Sequence, residues 1–478
     1  RSATPPEHRG TKLANAHANP PTRRSSMDSR AGAAAWRSRA LCGTEYSWCR
    51  AAPGGTGTSV IALRLSRGGA AAEAAVRALQ NAHPVLRAHL RGTPSSPTLA
   101  FPSSAPQLSL APQPSVLDFH SLLEREINRN PWAAAAPEPD GAPVLFAALY
   151  QLPPPAGGAA LFILIHTAVC DRAASEALLS ELLALLGGAG VGDPEVKGET
   201  AAVEAGLEKR IRKKDARKPL WARGVDMVGY SIDGLRASTL PFEETGTARS
   251  TKMVRLRLDR EDTTRLLDAC KENGVRLCSA MAAATMLAAR QSKNSSQQET
   301  YSVATLINCR EFLEPPLNDH NVGFFYSAVI NTHKINREGG LWALAKRCHD
   351  AYSNAKHNKK HLTDIRDLNF LMCRAIENPQ LTTASALRTS LVSVFEEPAT
   401  FDVSDLQSKA GVEDYVCCAT VHGIGPSISV FDSIRDGGLD CACMYPSPLH
   451  SRRQIHEVLD KVKMILHEGS NPSDELMT

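Results

Sequence analysis

The run Leu161-Phe162-Ile163-Leu164-Ile165, followed at once by His166-Thr167-Ala168-Val169-Cys170-Asp171-Arg172, constrains this chain more than any other stretch. Five consecutive apolar residues predict a buried strand, and the polar groups behind them predict a turn. Ser175 to Leu186 reads as a helix that stops at Gly187-Gly188. A strand that carries polar side chains to the head of a helix is a place where chemistry can be built.

The surrounding pattern is mixed α and β. Ser59 to Leu65 reads as a strand and Ala70 to Gln80 as a helix, with Val76, Leu79 and Val85 spaced for one apolar face. Val144 to Tyr150 reads as a strand that forms a hairpin with the one ending at Ile165, across the turn Pro153 to Gly158. After a polar stretch a second unit begins. Strands are expected at Met253 to Leu258, Tyr301 to Ile307, Gly323 to Ile330, Tyr415 to His422, Ser427 to Phe431 and Leu439 to Tyr445. Helices are expected at Asp259 to Lys271, Ser279 to Arg290, Gly340 to Lys356, Pro379 to Leu387 and Arg452 to His467. This divides the chain into a tail (1–35), an N-terminal α/β lobe (36–190), a basic linker (191–250), a C-terminal α/β lobe (251–468) and a short tail (469–478).

The 478 residues suffice for two or three domains, and 43% apolar and 22% charged residues are ordinary for a globular protein. A net charge of +4 does not point to nucleic acid. No apolar run reaches the roughly 18 residues of a membrane span. The twelve cysteines form no C-x-x-C pair and read as reduced thiols, which points to the cytoplasm. The first forty residues contain only Glu7 and Asp28 as acids. They read as a disordered tail or upstream sequence before Met27; an organelle transit peptide is the alternative. Lys209, Arg210, Arg212, Lys213, Lys214, Arg217 and Lys218 form a basic run, which reads as a solvated face or as a contact for cofactor phosphates.

The order of elements resembles the CoA-dependent acyltransferase superfamily, which includes chloramphenicol acetyltransferase, condensation domains, alcohol acetyltransferases and the plant BAHD enzymes. His166 to Arg172 is similar to the family signature H-H-x-x-x-D-G; His83-Pro84-Val85-Leu86-Arg87 is similar to its early H-P-x-L-R segment. Asn308-Cys309-Arg310 followed by Gly323-Phe324-Phe325 is similar to the stretch in which an Arg precedes a Gly-Phe strand. Without D-F-G-W-G, and with Gly423-Ile424-Gly425-Pro426 in the comparable region, the chain is closer to the condensation and alcohol acetyltransferase branches. The resemblance covers about residues 36 to 468. It implies two similar lobes with a tunnel between them.

It also implies roles. The family's base is the second His, four places before the Asp; here that place holds Thr167, and the closing Gly is Arg172. Threonine is not basic at neutral pH, whereas imidazole titrates near it. His166 is the substitute base if a bulge or an early strand end turns it into the tunnel; otherwise it is a buried structural ring, because neighbours on a strand face opposite ways. Asp171 organises the loop, by pairing with Arg310 or Arg172, or by capping the helix behind it. Thr167 is expected to line the tunnel as a hydrogen-bond donor.

Other patterns carry less. His456 and Asp460 lie one turn apart on the outer side of the last helix, whose apolar face is Ile455, Val458, Leu459, Val462 and Ile465. His357 and His361 have metal-ligand spacing but no Glu between them, and read as a solvated basic face. Gly54 to Thr58 lacks the Lys of a phosphate loop and reads as a turn, and no G-x-S-x-G occurs. Cys170 has no evident activating partner. The expectation is an acyltransferase that moves an acyl group from acyl-CoA or another thioester to a small hydroxyl or amine acceptor. Its catalytic residues would be His166, Asp171 and Thr167, with no metal and no tightly bound cofactor. The rival is a relative without catalysis that binds a small molecule or a protein in the same tunnel. Oligomeric state is left open.

Overall fold

Every backbone group of the strand Ala159–His166 needs a partner on each side, because both of its faces are apolar and buried. It finds them in a sheet ordered Val412–Ala419, Thr58–Leu65, Ala159–His166, Leu145–Gln151 and Gln113–Pro114. The pairings to Thr58–Leu65 and Leu145–Gln151 are antiparallel, without a bulge, and the second is the expected hairpin. The computed structural model describes residues 37–471 apart from 68, 94–95, 103–109, 134–140, 156, 189–202, 294–297, 336–339 and 402–403. The tail expected at 1–35 and most of that at 469–478 lie outside the described residues.

The two faces of the central strand serve two cores. Ala159, Leu161, Ile163 and Ile165 pack with Leu178, Leu179, Leu182 and Leu183 of the helix Arg172–Leu186. Ala160, Phe162 and Leu164 pack with Phe119, Leu122, Leu123 and Trp132. Burial on both sides is why this strand shows no polar alternation.

The second sheet has the order Tyr326–Ile335, Glu299–Asn308, Val392–Phe395, Ile428–Arg435, Gly438–Ser447 and Ser250–Leu258, with Ala399–Phe401 beside Ile428–Arg435. The helices Arg260–Glu272, Leu277–Lys293, Leu341–His357 and Arg452–Ser470 supply its core partners, among them Leu266, Met281, Leu344 and Val458. The architecture is mixed α/β. Val412–Ala419, although late in the chain, crosses over and pairs antiparallel with Thr58–Leu65. The edge of the first sheet is therefore finished by the second half of the sequence.

One expectation needs correction. Pro379 to Leu387 is not a helix but two short 3-10 turns, with Ala384, Ser385 and Leu387 at positive φ. Thr382 Oγ1 donates to the Pro379 carbonyl and accepts from the Leu387 amide, so a side chain takes over bonds that a helix would make. The helix lies earlier, at Ile365–Glu377. The basic stretch also holds a helix, Leu220–Arg236. All twelve cysteines are free thiols. Among the described residues no helix is long and apolar enough to cross a membrane.

Candidate functional site

The pleat decides where His166 points. It continues the even-numbered face of its strand, behind Phe162 and Leu164, and packs edge-on against Trp132 with ring centroids 5.0 Å apart. Its side chain is 1% exposed. The Ala168 amide donates to Nδ1 at 3.1 Å, so that nitrogen is unprotonated. Burial lowers its pKa to about 3. The strand then ends in the 3-10 turn Thr167–Val169, and Thr167 faces a cavity of about 550 Å³. His166 does not line that cavity. With no bulge in the strand, the expectation that His166 supplies the base has no geometry to support it, because the ring lies in the opposite core.

Thr167 is bound into a short chain of hydroxyls. Ser59 Oγ donates to the Cys170 carbonyl at 2.9 Å and lies 3.0 Å from Thr167 Oγ1. A serine hydroxyl has one proton, so Thr167 must be the donor to Ser59. Its remaining lone pairs make it an acceptor toward the cavity, which corrects the expectation of a donor. The Thr167 amide donates to the Gly57 carbonyl at 2.8 Å, which holds the turn against the Gly54-to-Thr58 loop.

Asp171 fills both roles that the sequence left open. Oδ1 accepts from the Ala174 amide at 2.9 Å and caps the helix Arg172–Leu186. Oδ2 accepts from the Phe325 amide at 2.7 Å, and Arg310 bridges both oxygens at 2.9 and 3.0 Å. The partner is Arg310, not Arg172. Four bonds leave this carboxylate locked.

Arg172 reaches the other way. Its Nε donates to Glu176 at 2.6 Å and its Nη1 to Asp432 at 3.0 Å; its Nη2 donates to the Asp432 carbonyl. The guanidinium lies over the Phe395 ring, 4.2 Å from its centroid. Burial disfavours its charge, but Glu176 and Asp432 outweigh this and its pKa is raised. One cation faces two carboxylates, so burial raises both acids despite Arg172. The two differ in access. Asp432 is buried, whereas the Glu176 side chain is 24% exposed and one of its oxygens holds the Arg172 bond. Sequence reasoning missed Glu176. The available signal was its place four residues after Arg172, on the same helix face.

No histidine lines the cavity among the described residues. The nearby His422 is hydrogen-bonded through Nδ1 to the Thr251 hydroxyl at 2.9 Å, and that hydroxyl accepts from the Val421 amide. Cys170 is buried, lies 3.2 Å from Ser175 Oγ and has its thiol pushed up to about 12 by burial, so it is not a thiolate. No group of three or more His, Cys, Asp or Glu among the described residues is arranged to hold a metal. His456 and Asp460 are exposed on the last helix, whose inner face is the expected one. Lys218 of the basic run is committed to Asp226 and Asp364, both at 2.7 Å. His83 of the H-P-x-L-R segment contacts Glu181 at 2.7 Å.

Comparison with known proteins places this fold. Residues 247–356 match the family model for the C-terminus of phthiocerol/phthiodiolone dimycocerosyl transferase. No curated protein matches in sequence. Among solved structures, trichothecene 15-O-acetyltransferase from Fusarium sporotrichioides is similar with a TM-score of 0.68 at 12% identity, over 90% of this chain and 95% of that one. The EpoB cyclization-docking bidomain from Sorangium cellulosum is similar with a TM-score of 0.68 at 14% identity, over 91% of this chain and 84% of that one. Polyketide synthase associated protein 5 from Mycobacterium tuberculosis is similar with a TM-score of 0.57 at 16% identity, over 91% and 98% of the two chains. Identities this low speak for the fold.

Proposed function

We propose that this chain, whose fold is that of the CoA-dependent acyltransferase superfamily, transfers an acyl group from a thioester to a hydroxyl or amine acceptor bound in the cavity. The observation that carries the reading is a shared cavity wall. It holds Thr167, with an open acceptor, and Glu176, a carboxylate partly exposed and destabilised by burial.

Thr167 Oγ1 accepts from a second N–H or O–H of the acceptor and orients it without removing a proton. The open oxygen of Glu176 takes the proton of the attacking O–H or N–H, directly or through one water, as the acceptor attacks the thioester carbonyl. The C–S bond breaks, and the leaving thiolate recovers the proton from Glu176. A carboxylate raised above its ordinary range is a better base than an exposed one. Arg172 holds Glu176 in place, and Asp171 with Arg310 holds the turn that presents Thr167. Acyl-CoA or a carrier-bound acyl group is the donor, as a cosubstrate and not a resident cofactor.

The test is incubation of the purified protein with radiolabelled acyl-CoA donors and a panel of alcohols and amines. Transfer is expected, with a loss of about 100- to 10,000-fold in Glu176→Gln. Thr167→Ala is expected to raise the acceptor KM more than it lowers kcat. Unchanged turnover in Glu176→Gln would overturn the assignment of the base. The rival reading, a binding module, rests on the lack of an imidazole among the described lining residues. Tight acyl-CoA binding by calorimetry with no transfer to any acceptor, but with turnover appearing in Thr167→His, would favour it.

A further inference from the structure

A second cavity, about 570 Å³, shares no lining residue with the first. It lies where the helix Leu341–His357, the short helix Lys360–Thr363, the turn Arg310–Phe312 and the basic stretch near Arg212 meet. The spacing of His357 and His361 suggests a pair on a solvated face, and the structure separates them. The first helix stops at His357, Lys359 takes a left-handed φ of 56°, and the chain restarts at Lys360. His357 is exposed where it lines the cavity, while His361 turns inward, 1% exposed, edge-on to Phe312 at 4.8 Å.

Inside, polar atoms lack partners. Both ring nitrogens of His361, Nδ1 of His349 and the hydroxyl of Tyr352 are buried without a hydrogen bond among the described residues. Native interiors match such atoms with protein, water or ligand. Four of them lining one cavity make an unfilled hydrogen-bonding surface. Burial, with Lys356 and Lys359 nearby, holds the His361 pKa down at about 4, so near neutral pH the ring offers one donor and one acceptor. Around these neutral groups stand four cations and three carboxylates, Asp215, Glu311 and Glu396. Lys356 is matched by Glu396 at 2.8 Å and Lys359 by Asp215, and Arg276 pairs with Glu397 and lies 3.7 Å from Glu396. Arg212 has no ion pair among the described residues.

We propose that this second cavity binds a small phosphorylated molecule bearing hydroxyl groups, of about sugar-phosphate size. Imidazole and phenol groups each donate and accept, as hydroxyls do, so His361, His349 and Tyr352 suit the polyol part. The phosphate faces Arg212, which makes no direct ion pair among the described residues although Asp215 is near enough to feel its charge, with Lys359 and Arg276 at the rim. The volume lies within the roughly 300 to 1,000 Å³ usual for small-molecule sites. The site does not depend on the acyl-transfer reading.

The test is titration calorimetry of the full chain with glucose 6-phosphate, glucose and inorganic phosphate. Saturable binding of glucose 6-phosphate is expected, at least ten-fold tighter than either fragment. Arg212→Gln and Tyr352→Phe should each weaken it at least ten-fold without changing the melting temperature of the unliganded protein; His361→Phe should abolish it. Because His361→Phe removes a buried ring contact, the first two variants keep the test informative if that one does not fold. No binding of any probe at millimolar concentration would leave a water-filled cavity and overturn the proposal. So would unchanged affinity in Arg212→Gln and Tyr352→Phe, which would put the ligand elsewhere. Phosphate binding as tightly as glucose 6-phosphate would remove the hydroxyl-bearing ligand in favour of a bare oxyanion.

Discussion

Arg310 clasps Asp171 through two parallel contacts, Nη1 to Oδ2 at 2.9 Å and Nη2 to Oδ1 at 3.0 Å, across 139 positions of chain. Both side chains are almost fully buried. Removing one partner leaves the other's charge, or its desolvated donors, without a match. Asp171→Asn and Arg310→Met should each destabilise by about 3–5 kcal/mol in denaturant unfolding, and the double variant by clearly less than the sum. Additive losses would mean that the two groups act separately.

Glu176 is expected to leave its mark on the pH dependence of transfer. Burial raises its pKa although Arg172 opposes this. The base form is therefore lost as pH falls through a value above the ordinary carboxylate range, and the acid limb of kcat/KM should lie there. Arg172→Met removes the opposing cation and should move that limb to still higher pH. A limb that is unchanged in Arg172→Met would count against Glu176.

His166 should matter to stability and not to catalysis. Its folded pKa is depressed to about 3, from an ordinary 6.5. The unfolded chain gains this proton below about pH 6.5 and the folded chain does not, so the contribution is complete above that value and falls as pH drops toward 3. The slope is about 1.4 kcal/mol per pH unit for each such imidazole. His422 and His450, lowered to about 4 by burial, add to the same loss. Unfolding curves from pH 7 to 5 should show falling stability, with a shallower fall in His166→Phe. Transfer activity in that variant should match the parent at pH 7.

Gly55 sits at φ 94°, and a Cβ there would lie 1.8 Å from His422 Nε2. Gly55→Ala combines left-handed strain with this overlap, against a ring fixed by the Thr251 hydroxyl. A loss of at least about 1–3 kcal/mol is expected by thermal unfolding. If the ring swings away at little cost, only the left-handed strain remains and the loss falls to about 1–2 kcal/mol; an unchanged melting temperature would count against both.

Local pattern determined much by itself. The continuous apolar run at Leu161 to Ile165, its hairpin partner and the helix behind Asp171 follow from periodicity and capping, which act within a few residues. The inner face of the last helix, Ile455 to Ile465, follows in the same way. Strand parity even contained the orientation of His166, since one pleat separates it from Thr167. What the tertiary structure decided were relations between distant segments: Arg310 rather than Arg172 as the mate of Asp171, Arg172 as a bridge to Asp432, and Val412–Ala419 closing a sheet begun at Thr58. The loop Pro379 to Leu387 lost its helix to a threonine hydroxyl, and His361 left its expected basic face because Lys359 adopts a left-handed turn. In each case competing partners of similar energy were available locally. The choice between them rested on which group the folded chain brought within hydrogen-bond reach, a property no spacing in the sequence records.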